Sequence, residues 1–253
     1  MKKHKMTKRL ILALGIIGLS VTGVRADSVN EKEITYADPT IYVENGKYYL
    51  TGTRNQEPQG FAILESTDLE HWTVPDDTSL QLILRKGDQT YGEKGFWAPQ
   101  YFKDKRTYYF TYTANEQTVI ASSKSVFGPF RQKEVKPIDA SAKNIDSFLF
   151  KDDDGKYYLY HVRFNKGNYL WVAEFDIKKG SIKPETLKQC MDCTEPWEKT
   201  PNYKSAPVME GPTVMKWDGV YYLFYSANHF MNIDYSVGYA TASSPFGPWK
   251  KHP

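Results

Sequence analysis

Hydrophobic and polar positions alternate along this chain in short runs, and one arrangement of runs occurs four times. It appears as "ADPTIYVENGKYYLTGT" from Ala37, then as "WAPQYFKDKRTYYFTYTA", "IDSFLFKDDDGKYYLYHV" and "EGPTVMKWDGVYYLFYSA". Alternation over four to eight residues, rich in β-branched and aromatic side chains, predicts strands. Asn45-Gly46, Asp154-Gly155 and Asp218-Gly219 mark tight hairpin turns inside three of the units, because a two-residue turn needs residues that accept positive φ. A third strand is expected in "GFAILESTDLEHW", "TVIASSKSVFGPF", "NYLWVAEFDIKKG" and "SVGYATASSPFGPW", with a fourth, outer strand beyond it.

The tyrosine pairs Tyr48-Tyr49, Tyr108-Tyr109, Tyr157-Tyr158 and Tyr221-Tyr222 lie 60, 49 and 64 residues apart. Four antiparallel strands repeated at such a spacing make the blades of a β-propeller. A β-sandwich also uses many short strands but does not account for the recurrence of whole units. Helical periodicity is nearly missing. The expectation is therefore an all-β fold, a β-propeller with about four blades, as one domain over residues 27–253.

Composition changes this picture only at the N-terminus. With 40% hydrophobic and 25% charged residues and a mean hydropathy of −0.59, the 253-residue chain reads as globular. "MKKHKMTKR", the apolar "LILALGIIGLSV" and the small residues before Ala26 have the form of a secretory signal peptide, residues 1–26, with an apolar run too short to span a bilayer. The chain is thus expected to be exported, to the periplasm or the extracellular space, without a membrane anchor. That segment holds six basic residues and no acid, so the net charge of +3 becomes −3 without it. A basic surface for nucleic acid is not indicated. Cys190 and Cys193 stand in a single "CMDC", too little for a zinc site; a local disulfide in a loop and two free thiols both remain open.

In a propeller the inner strands begin at one face of the central channel, so matching positions in several units converge there. Those positions are Asp38, Ala98, Asp146 and Gly211, with Glu210 one residue earlier and Trp97 at the same offset in the second unit. Taken singly, an Asp-Pro or Gly-Pro is a turn starter. Three acids at one equivalent place point instead to function, since turn residues would tolerate Asn, Ser or Gly there equally well. Arg54 and Arg163, at equivalent strand ends, and Asn228 and His229, after the last unit's second strand, are candidates for binding sugar hydroxyls. "KDDDGK" reads as a hairpin turn rather than a calcium loop, and no metal ligands are assigned.

"ADPTIY", "FWAPQ", "IDSFLFKDDDGKYYLY" and "MEGPTVMKWDGVYYLFYSAN" resemble glycoside hydrolase family 43 over residues 36–250. The resemblance implies a five-bladed propeller and an α-L-arabinofuranosidase- or β-xylosidase-like activity on plant polysaccharide or oligosaccharide, with galactosyl specificity a further family option. It implies Asp38 as general base, Glu210 as general acid, Asp146 as the carboxylate that tunes and orients that acid, and Phe96 and Trp97 beside the sugar. No cofactor is implied for the chemistry; a structural calcium ion in the family has its usual ligand region in the fifth blade. That blade would begin after residue 253, so the sequence predicts a C-terminally incomplete propeller with two exposed blade faces. The competing expectation is a catalytically inactive sugar-binding propeller. Fructan-acting relatives carry an Asn-Asp-Pro-Asn type motif, which "YADPT" lacks.

Overall fold

In a computed structural model of the chain, the structure describes residues 28–29, 34–54, 59–75 and 82–252. The signal-peptide segment, residues 1–26, lies outside the described residues.

Four antiparallel sheets follow one another along the chain. Blade one contains β1 (Ser28–Val29), β2 (Ala37–Glu44), β3 (Lys47–Thr53), β5 (Leu64–Ser66) and β6 (Trp72–Thr73), in the order β1-β6-β5-β3-β2. Between them β4 (Gly60–Ala62) pairs with β7 (Leu82–Arg85) as a separate ribbon. Blade two is β8 (Trp97–Asp104), β9 (Thr107–Ala114) and β10 (Gln117–Ser123). Blade three is β11 (Asn144–Lys151), β12 (Tyr157–Phe164) and β13 (Asn168–Asp176), edged by β14 (Ser181–Ile182) and β15 (Lys188–Met191). Blade four is β16 (Met209–Trp217), β17 (Val220–Ala227), β18 (Ser236–Ala242) and β19 (Lys250–His252). Successive inner strands touch in the order β2, β8, β11, β16. This is the four-blade arrangement of a β-propeller.

The hairpin turns form where the sequence places them: Asn45 and Gly46 have φ of 52° and 74°, Asp218 and Gly219 of 50° and 75°. Two details differ from expectation. The third strand of the first unit breaks at buried Ile63, so that Phe61 pairs with Leu84 while Leu64 pairs with Leu50. The "CMDC" segment is not simply a loop. Cys190 lies in β15 against β13, and both cysteines are free thiols. Burial pushes the Cys193 thiol up to about 11 and Cys190 higher still, so neither carries a reactive thiolate at neutral pH.

The core lies between blades. Phe61, Phe110, Tyr112 and Phe130 fill the joint of blades one and two. Ile120, Leu149, Leu159 and Phe175 fill the second joint, and Tyr160, Leu170, Val214 and Leu223 the third. The tyrosine pairs belong to this packing, because neighbouring residues on a strand face opposite sides of the sheet. In the first three pairs the second member packs towards the following blade, as Tyr49, Tyr109 and Tyr158 do.

In the last three pairs the first member reaches back to the preceding blade and completes a charged rung, whereas Tyr48 packs within blade one. Glu44 pairs with Lys103 and accepts from Tyr108, Asp104 pairs with Lys151 (2.5 Å) and accepts from Tyr157, and Asp152 pairs with Lys216 (2.7 Å) and accepts from Tyr221. Each lysine also lies over its tyrosine ring, at 4.6, 5.4 and 4.9 Å. At the two ends of this ladder the charged positions are apolar and exposed: Val43 (55%) replaces a lysine and Trp217 (70%) an acid. Ile41 on β2, and Met215 and Val237 on blade four, are exposed with them.

The rungs differ in burial, and this ranks their worth. Asp152 is 7% exposed and Lys216 22%, whereas Lys151 is 36% exposed. Removing one partner of a buried pair costs up to about 3 kcal/mol, here lessened because Lys216 keeps Asp153 at 2.9 Å; a more exposed pair contributes at most about 1 kcal/mol. Asp152→Asn is expected to lower the urea midpoint more than Asp104→Asn does, as measured by tryptophan fluorescence.

Candidate active site

Every inner strand begins with the same distortion. Between Ala37 and Thr40, Trp97 and Gln100, Ile145 and Phe148, and Glu210 and Thr213, the register to the second strand shifts by one residue. The residue inside each bulge is left-handed: Asp38 (φ 47°), Ala98 (47°), Asp146 (53°) and Gly211 (62°). A bulge re-aims side chains at a strand end, and Asp, Asn and Gly are the residues that best tolerate this conformation. The four positions matched in the sequence are therefore equivalent in structure. Glu210 and Trp97 share the place just before the bulge.

The three carboxyls act on one another. Burial first, and then the charges of Glu210 and Asp38, push Asp146 up to about 8, opposed by the hydrogen bond that Gly211 N–H donates to its Oδ2 (3.2 Å). Glu210 is also raised, by burial and by the Asp38 charge, against a hydrogen bond that the Tyr235 hydroxyl donates to its Oε1 (3.0 Å). Asp38 is exposed and accepts a 2.6 Å hydrogen bond from Thr53 Oγ1 at its Oδ2. The sequence reading gave Asp146 the role of tuning and orienting Glu210. The charge that raises Glu210 is that of Asp38, while Glu210 in turn raises Asp146. Asp146 acts on the acid through the backbone instead, since the amide it holds follows Glu210 directly.

The other candidates are placed as follows. Trp97 is partly exposed, its indole folded over Gly95, where a Cβ would stand 2.7 Å from the ring. Arg54 follows Thr53 and holds its guanidinium over the Tyr36 ring at 5.6 Å, half-buried. Phe96 is a core residue, stacked on Tyr112 at 5.8 Å. Arg163 is nearly buried in an ion pair with Asp139, donates to Ser141 Oγ (2.9 Å) and lies over Trp171, so its donors are engaged within the protein. Asn228 is 1% exposed; it accepts from Thr200 N–H and donates to the carbonyls of Trp197 and Asp234. His229 is half-buried between the rings of Tyr203 (4.9 Å) and Phe230 (4.7 Å). Thr53 and Tyr235 were not singled out from the sequence. The first was legible as the hydroxyl paired across the ladder from Ala37; the second lies in a loop with no counterpart in the other units. Among the described residues no group of three or more His, Cys, Asp or Glu is arranged to hold a metal ion.

The sequence model of glycosyl hydrolases family 43 matches residues 32–253. The chain belongs to this family. Similar family-43 relatives include the extracellular endo-α-(1→5)-L-arabinanase 1 of Bacillus subtilis, 27% identical over 98% of this chain and 80% of that protein. The β-D-galactofuranosidase xynD of Aspergillus niger is 27% identical over 86% of this chain, which spans 64% of that protein, less than two thirds of its length. Among solved structures, an endo-1,4-β-xylanase from Bacteroides thetaiotaomicron is 43% identical with a TM-score of 0.77, covering 86% of this chain and 72% of that one.

The raised Asp146 makes a prediction that does not depend on activity. Its carboxyl keeps a proton in the folded chain up to about 8, while the unfolded chain releases it near 3.9. Its contribution to stability is therefore complete at low pH and is lost as the pH rises through that window. Asp146→Asn, which tolerates the same φ, is expected to gain Tm over the wild type progressively from pH 4 to 8 and to level off above, in differential scanning fluorimetry across pH.

Proposed function

We propose that the protein is an exported inverting glycosidase that removes terminal arabinofuranosyl or xylosyl units from plant cell-wall polysaccharides. The observation that carries this reading is the asymmetry of the carboxyl set. Two groups, Asp146 and Glu210, are held towards their protonated forms, beside the negatively charged and exposed Asp38. Hydrolysis with inversion needs that division of labour.

In this reading Asp38 takes a proton from water as the water oxygen bonds to the anomeric carbon. Glu210 gives its proton to the glycosidic oxygen as the bond from that oxygen to the carbon breaks. Asp38 ends protonated and Glu210 ionised, and exchange with solvent restores both. Asp146 keeps its proton and holds the Gly211 amide, which fixes the backbone beside the acid. Trp97 offers an apolar face to a sugar ring. Export rests on the form of residues 1–26 and on the extracellular arabinanase among similar proteins; no helix among the described residues is long and apolar enough to cross a membrane.

The test is sugar release from arabinoxylan, arabinan and arabinogalactan, with 4-nitrophenyl arabinofuranoside and xyloside for rates. Wild-type release is expected and Asp38→Asn is expected to lower kcat by about 10⁴-fold, the upper range of acid–base catalysis. Binding of these polysaccharides, equal in wild type and variant and without release, would establish the sugar-binding alternative. Activity should fall on the alkaline side, as Glu210, whose carboxyl is raised by burial and by the Asp38 charge, loses the proton that it gives to the leaving group. Tyr235→Phe removes a donor that favours ionised Glu210, so its alkaline limb is expected at higher pH, by about one unit or less.

A further inference from the structure

One position recurs in all four blades without entering the chemistry above. It is the second-strand residue paired across the ladder just before each bulge: Thr53 opposite Ala37, Thr113 opposite Trp97, Val162 opposite Ile145 and Ser226 opposite Glu210. Three of the four carry a hydroxyl, and each hydroxyl serves a different one of the three acidic residues, through its carboxyl, its backbone or a bridging tyrosine. Thr53 donates to Asp38 directly. Thr113 Oγ1 accepts from the Asp146 backbone N–H at 3.0 Å. Ser226 hydrogen-bonds Tyr235, which in turn holds Glu210. The fourth position, Val162, has no hydroxyl to offer the next blade, and there the Gly211 N–H turns to Asp146.

Resting on the hydrolase reading, we infer that Thr53 is the positioning residue of the general base and assigns Asp38 Oδ1 as the atom that activates water. Thr53 is 8% exposed at the end of β3 and joins two blades. Its Oγ1 accepts the Ala98 N–H at 2.9 Å while donating to Asp38 Oδ2 at 2.6 Å. A hydroxyl has one proton and two lone pairs. The amide of blade two occupies a lone pair and directs the proton at Asp38. Oδ2 is thereby engaged, and Oδ1 is left without a hydrogen bond among the described residues.

This arrangement does more than hold a side chain. The left-handed bulge sets where Asp38 leaves the backbone, but its χ angles remain free on an exposed carboxylate. Terminal carboxylate torsions are broad, so an external donor is needed to choose one. Because the donor is itself fixed by the neighbouring blade, the orientation of the base depends on the joint between blades one and two. A displacement of about 1 Å in such a group costs on the order of 10²-fold in rate.

The experiment compares wild type, Thr53→Val and Thr53→Ser, with Asp38→Asn as reference, for kcat and KM on the aryl glycosides and for Tm, together with crystal structures of wild type and Thr53→Val. Expected are a kcat lower by about 10- to 100-fold in the valine variant, KM within about twofold, recovery to within about threefold in the serine variant, and a rotated Asp38 carboxylate in the crystal. Wild-type kcat in Thr53→Val, even with a lower Tm, would show that Thr53 only fastens the blades and would overturn the inference. An Asp38 carboxylate unmoved in the Thr53→Val crystal would overturn it as well. Failure of the hydrolase reading looks different: wild type and Asp38→Asn would be equally inactive, and the crystal structures alone would then decide whether Thr53 sets the carboxylate.

Discussion

The left-handed bulge at the head of each inner strand is the constraint on which the rest of this structure depends. A regular strand sends successive side chains to opposite faces of a blade, into the joints with its neighbours. The extra residue breaks that alternation once, at the channel end, and frees one side chain per blade from packing. Asp38 and Asp146 stand inside the bulge and Glu210 just before it. Where the second blade has Ala98 in the bulge, Trp97 occupies the position of Glu210. One backbone device, used four times, yields three acids and an indole.

Bringing carboxyls together is unfavourable unless their charge is reduced, and the chain resolves this with protons rather than with cations. Among the described residues, the causes of the Asp146 and Glu210 shifts include no lysine or arginine. Burial and mutual repulsion keep protons on the set, and the hydrogen bonds from Gly211 and Tyr235 limit the effect. At the other end of the same strands the solution is the opposite: each acid meets a lysine and a tyrosine hydroxyl from the next blade. Six residues separate the two environments, Asp38 from Glu44, Ala98 from Asp104 and Asp146 from Asp152, or about 20 Å along a strand. Carboxyls that stabilise and carboxyls that strain the fold are thus kept apart on single strands.

Much of this was legible in the sequence because repetition makes equivalence visible. The four units, the turns at Asn45-Gly46 and Asp218-Gly219, and the matching of Asp38, Ala98, Asp146 and Gly211 all follow from comparing the units. What lay outside repetition was harder to read. The break at Ile63 falls in a run of buried residues, where period gives no signal. Arg163 looks like a counterpart of Arg54, but Asp139 comes from an irregular connection and engages it. Asn228 follows a strand end near the site, yet its amide is used up on three backbone groups, because the loop after blade four needs them satisfied. Tyr235 reaches Glu210 from that same loop, which no other unit shares.

The ladder of charged rungs also has a direction. Each of the two inner blades presents a lysine to the blade before it and an acid to the blade after it, so it carries both halves of a code. Duplicating blade two or three within the ring would conserve every pairing. Duplicating blade four would set the Trp217 indole where its follower's lysine seeks an acid, and duplicating blade one would leave Val43 facing Glu44 of its copy. Blades two and three are therefore written in interchangeable units, while blades one and four are fixed in place, which makes blades two and three the part of this fold most open to growth by recombination.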